Sequence, residues 1–248
     1  MERRQELTAA LRVGEVYADA WRIYRMLFRR SVLTAAIVFG ALALAKVGGH
    51  YQGSRAVAIA LGIVAALLDW AGPVIVQGAL IELVANIHEG RAAKPIGALY
   101  ARARARFWPL FWGSLLYALG IVVGLLLLIV PGLLAFARWS LLAPFVVLEE
   151  DGVGAALQKS SDAVRGRTGR VLAIVGGAFL ALAIPAQLVF YLVLGPGLQW
   201  QVYSFVASSL TAPFEAHVLS VLYYRLTDSE RPVIHEEVMR WRSVWAGA

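Results

Sequence analysis

The chain has 248 residues, of which 60% are apolar and 16% charged, against about 45–50% and about 25% in an ordinary soluble domain. Its formal net charge is +7 and it has no cysteine, which excludes a disulfide framework and thiolate metal sites. The apolar residues gather in runs of about twenty, the length that spans a bilayer as a helix. Most arginines flank these runs, so the basic balance points to anionic lipid headgroups and not to nucleic acid.

The opening MERRQELTAALRVGEVYADAWR is polar and amphipathic and lacks the short apolar core of a secretory signal peptide. Val13, Val16, Tyr17, Trp21, Tyr24 and Phe28 fall at helical spacing, with Arg12, Arg22, Arg25 and Arg29 largely off that stripe. This pattern predicts an interfacial helix over about 8–29 with its aromatic face toward the membrane. Six apolar runs follow, at about 31–49, 56–78, 107–130, 133–148, 171–195 and 200–224. The fourth is short, and Pro131-Gly132 before it reads as a tight turn between two spans; the alternative is a re-entrant hairpin over the third and fourth runs. The expected fold is all-α: a polytopic membrane protein with six transmembrane helices in three hairpins, plus cytoplasmic interfacial helices. Residues 1–228 form the membrane domain. Residues 229–248 read as an amphipathic tail helix, with Ser229 as cap, Pro232 in the first turn and a stripe of Ile234, Val238, Trp241 and Trp245. It lies on the membrane or on the protein's own cytoplasmic surface.

Of the 23 basic residues, all but Lys46, Arg55 and Arg138 fall on one side of this parse. By the positive-inside rule both termini are cytoplasmic. The outer connections, 50–55, 131–132 and 196–199, are too small for a folded domain.

Three inner segments begin alike, at Val13-Gly14, Ile96-Gly97 and Val153-Gly154, and the second span of each following pair holds a small residue before proline, at Pro73, Pro144 and Pro213. This spacing predicts three parallel units of interfacial helix plus hairpin. The prolines free backbone carbonyls and kink or loosen their helices. They either shape the bundle or surround a cavity.

Asp69, Arg138, Glu215 and His217 lie inside apolar runs, where a charge costs at least about 2.5–3.5 kcal/mol by insertion scales. Counting from the repeat prolines puts Asp69 and Arg138 at similar depth and predicts an ion pair between the second and fourth spans. Glu215 and His217 suit either a structural bond or a proton or ion relay. Zinc, Walker and nucleophile-elbow motifs are missing, and Glu149, Glu150 and Asp151 read as a cap for the following helix. No cofactor, metal site or catalytic residue is expected.

The stretch Leu125–Arg170, with Pro131-Gly132, Arg138, Pro144, Glu149, Ala156-Leu157, Ser160 and Gly166, resembles the bacterial glycerophosphoryl diester phosphodiesterase membrane-domain family. The closing Pro213 and LSVLYYRL resemble that family's proline and Leu-Tyr-Tyr-Asp-Leu-Arg, with Arg225 in place of the acid. The resemblance covers 107–226. It implies a bacterial inner-membrane location, and no catalytic phosphodiesterase domain fits in this chain. The expected function is that of a non-enzymatic envelope protein, a scaffold or accessory subunit acting through helix and lipid contacts, with anionic headgroups at its cytoplasmic face and a membrane-protein partner. The alternative is a small transporter or channel that uses the buried ionisable groups.

Overall fold

The computed structural model describes residues 11–48, 55–91, 94–183, 192 and 198–227, and every regular element among them is helical. The elements are α1 (Val13–Met26), α2 (Phe28–Gly48), α3 (Arg55–His88), α4 (Ile96–Ala105), α5 (Phe107–Leu127), α6 (Ile129–Arg138), α7 (Leu142–Leu148), α8 (Val153–Val164), α9 (Thr168–Ala178), a π turn (Phe179–Ala183) and α10 (Leu198–Thr227). Four stretches are long and apolar enough to cross a membrane: Ala66–His88, Phe107–Leu127, Ile129–Leu148 and Val202–Thr227. The bent pair α1–α2, with 81° between its arms, makes a fifth if taken as one span. Thr168–Ala181 is apolar but shorter. The rest of the expected run 171–195, and the tail helix 229–248, lie outside the described residues.

Short helices begin at Val13, Ile96 and Val153, where the sequence repeats its Val/Ile-Gly step; the first, expected over about 8–29, starts at Val13 and ends at Met26. The residue before each is extended and gives no side-chain cap. Three residues into each helix stand Val16, Leu99 and Ala156, and seven residues in stand Ala20, Ala103 and Ser160; all six are buried. The small residue at the seventh position lets each helix press closely on the bundle.

The packing runs in a circle. α3 lies on α4 and α5, α6 and α7 lie on α8, α6 lies on α9, and α10 returns to α1 and α2. At the centre α3, α7 and α10 meet one another. The last turns of α3, from Val76 to His88, and of α10, from Ala216 to Tyr224, form most of that core. Away from it the apolar surface faces outward: Leu115, Leu119 and Val122 on α5, and Ile63 and Leu67 on α3, are all exposed. A core at one end and an apolar belt at the other is what hydrocarbon solvent permits, since lipid tails solvate leucine as well as a protein interior does.

The turn expected at Pro131-Gly132 falls instead at Leu128, which is extended (φ −164°, ψ 150°). Pro131 is the third residue of α6, where its missing N–H is one of the first-turn donors that have no helical partner anyway. Gly132 serves packing: a Cβ on the facing Gly124 would lie 2.7 Å from the Gly132 Cα, so the two helices touch backbone to backbone.

Candidate functional site

Ionisable side chains gather where each of α1, α4 and α8 meets the end of another apolar helix. Six residues into these helices stand Asp19, Arg102 and Lys159, and each finds an opposite charge across the junction. Arg102 reaches Glu82 of α3 at 3.2 Å, and Lys94 reaches the same carboxylate at 2.9 Å. Glu82 is fully buried, so both cations are needed to offset its desolvation. Lys159 bonds Glu149 at 2.6 Å and Asp151 at 2.9 Å, just past α7. These two carboxylates, Glu149 first, raise the Lys159 pKa above its usual value. Asp19 pairs with Arg225 of α10, which also reaches Glu15 at 3.3 Å. The polarity of this third junction is reversed.

The acidic run after α7 does not cap α8, whose first turn receives no side-chain hydrogen bond. Glu149 accepts from Tyr223 at 2.8 Å as well as from Lys159. Glu150 has a left-handed backbone (φ 59°), uncommon for a residue with a side chain. Arg106 holds it through both its carboxylate and its carbonyl.

Two tyrosines tie the circle together. Tyr100 of α4 donates to the Thr34 carbonyl of α2, and Tyr17 of α1 donates to the Ile174 carbonyl of α9 at 2.5 Å. Both tyrosines stand four residues into their helices. Thr34 and Ile174 each lie the same distance along the chain from the start of their own units, at Val13 and Val153. Burial pushes the Tyr100 pKa up to about 12.

The intramembrane residues singled out in the sequence do not form one site. Asp69 and Arg138 are both exposed, and no ion pair joins them among the described residues. The expected pair fails because the fourth run breaks at Trp139–Leu141. The piece that carries Arg138 stays on α5 and α9, while only the piece that carries Pro144 reaches α3. His217 is fully buried and its Nε2 lies 3.0 Å from the Ser31 hydroxyl of α2. Glu215 is half-buried two residues away. Pro73 and Pro213 lie inside unbroken helices, Pro73 exposed and Pro213 buried, and buried Pro144 is the third residue of α7.

Sequence reasoning missed Glu82. The second run was ended at 78, yet α3 continues to His88. The signal was present in Leu-Ile-Glu-Leu-Val-Ala-Asn, a lone acid with apolar neighbours on every helical face. Sequence reasoning also missed the stack of His88 on Tyr224, with ring centroids 3.8 Å apart. No three acidic or histidine residues among the described ones are grouped to hold a metal.

An apolar cavity of about 900 Å³ lies between α1, α9 and α10, walled by the rings of Tyr17, Trp21, Tyr24 and Phe214. Asp69, Glu215 and His217 are not in its lining. Comparison with protein-family models, curated proteins and solved structures yields no match for this chain.

Proposed function

We propose that this chain is a non-enzymatic integral membrane protein, a scaffold or accessory subunit of the bacterial inner membrane that works through helix and lipid contacts. The observation that carries this reading is the filled centre. Where α3, α7 and α10 meet, Val76, Leu80, Val146, Val221 and Leu222 are fully buried, and the charges around them end in partners on neighbouring helices. A transport pathway needs ionisable groups along a wet passage. Glu215 and His217 stand instead beside packed apolar residues, and the cavity that is open is apolar. Arg225, which departs from the family pattern by charge, has a structural role opposite Asp19.

The finer architecture belongs to the same proposal: six spans in three repeated units, with both termini in the cytoplasm. The circular packing, the equivalent buried positions and the equivalent junction charges support the repeat, and the one-sided arginines support the orientation. The second reading, a small transporter or channel, draws on the Glu215 Oε1 atom, which is buried without a hydrogen-bond partner among the described residues.

Proteoliposome flux separates the two. Vesicles carrying the purified chain and a pH-sensitive dye are expected to leak protons and small ions no faster than protein-free vesicles. Flux that Glu215→Gln or His217→Ala abolishes would establish transport instead.

A further inference from the structure

α2 lies along α3 and α5 along α6, whereas α9 and α10 touch only sparsely among the described residues. α9 runs into the π turn Phe179–Ala183, a wider helical form often found where a helix serves function. The gap between these helices is the apolar cavity. Small residues, Ala173 and Ala181, form the wall opposite the rings of α1. At Gly177 even a Cβ would lie 2.5 Å from the Tyr17 hydroxyl.

The cavity offers its contents no hydrogen bond from its hydroxyl groups. Tyr17 donates to the Ile174 carbonyl, Tyr24 to the Leu210 carbonyl at 3.0 Å, and Thr211 to the Ala207 carbonyl at 2.9 Å. A peptide would bring carbonyl oxygens that find no hydroxyl donor there. A hydrocarbon chain brings none. The volume lies within the about 300–1,000 Å³ usual for small-molecule sites.

The rim supplies the other half of the ligand. Trp21 is 50% and Phe28 43% exposed, the half-wet placement that suits aromatic rings at a membrane interface. Beside them on the same stretch stand Arg25 and Arg29, both exposed. Neither has an acidic partner among the described residues, whereas the neighbouring Arg22 is tied to Asp19 at 3.1 Å. On the far side Phe179, Leu180 and Leu210 are exposed and apolar, a surface continuous with lipid tails.

We infer that this cavity is a phospholipid site: it takes an acyl chain of an anionic glycerophospholipid, whose phosphate is held by Arg25 and Arg29. The inference rests on the lipid-contact reading above and names the lipid contact.

The test is native mass spectrometry of the full-length chain released from nanodiscs of equimolar phosphatidylglycerol and phosphatidylcholine. The wild type is expected to keep one phosphatidylglycerol. Ala173→Trp and Ala181→Phe, on exposed cavity-facing positions, should each lower that occupancy about tenfold while unfolding at the wild-type temperature. The double variant Arg25→Gln, Arg29→Gln should still hold a lipid but lose the preference for the anionic one. As a check that needs no cavity-filling variant, phosphatidylglycerol with brominated acyl chains should quench a component of tryptophan emission that Trp21→Phe removes. Wild-type protein that keeps no lipid, cavity variants that keep as much as the wild type, or quenching unchanged by Trp21→Phe would overturn the site. The flux assay is separate. A failed lipid site with silent vesicles leaves the scaffold reading standing, and flux with an intact lipid site overturns only the scaffold.

Discussion

Asp19 and Arg225 show how one residue pair carries a structural role across a change of charge. The other two junctions place a cation on the short helix and an acid on, or just past, the helix before it. Here the signs are exchanged together, so the attraction survives. Arg225 is 17% and Asp19 9% exposed at the side chain, which makes an isolated partner costly. Arg225→Gln is expected to lower stability in detergent by about 1–3 kcal/mol, because it leaves the mostly buried Asp19 carboxylate with only the exposed Arg22. Asp19→Asn should cost less, since Glu15 still serves the guanidinium. The double variant should lose about 1–2 kcal/mol less than the sum of the two. Additive losses in chemical denaturation would show that the pair is not coupled. Arg225 could be read from sequence alone as an arginine at the end of an apolar run. Its partner, more than two hundred residues away, could not.

At the scale of elements, the α5–α6 hairpin depends on two glycines and one extended residue. Gly124 faces Gly132 at backbone distance, so the clash from a side chain falls on atoms that cannot rotate away. Gly124→Val is expected to lower the stability of the detergent-solubilised protein by about 1–3 kcal/mol, the usual cost of overpacking. Gly14→Ala is the control: nothing lies within 4 Å of the added carbon. Gly14 stands open near the start of α1, as do Gly97 in α4 and Gly154 in α8, so no steric need fixes a glycine at these positions. Equal thermal shifts for the two variants would refute the close contact. The sequence placed this turn three residues late, because Pro-Gly is a strong turn signal while proline in a first helical turn looks the same from sequence.

For the whole molecule, orientation follows from charge and closure from packing. A single cysteine at Gln52 is expected to react with an impermeant thiol reagent in intact cells, and one at Ala92 only after lysis, because the connection around Ala92 carries arginine and lysine. The opposite pattern would reverse the protein in the membrane. Closure has a mechanical consequence. α10 lies on α1 and α2, so both are held by a helix that begins some 170 residues later than α2 does. Contacts between such distant parts of the chain form late, after their loop-closure entropy has been met.

Composition and periodicity by themselves determined that this protein is helical, that it carries runs long enough for a bilayer, and that short helices stand near Ile96 and Val153. Those features depend on local order along the chain: a run length, a stripe, a residue that cannot continue a helix. The partners were decided only in three dimensions. Asp69 and Arg138 are level when counted along their helices, yet a break at Trp139–Leu141 sends the two to different neighbours. Glu82 lies past the expected end of the second run and is a buried carboxylate clasped by Lys94 and Arg102. The cavity was not legible at all, since an empty space depends on how far α9 and α10 diverge, and no residue type records a distance between helices.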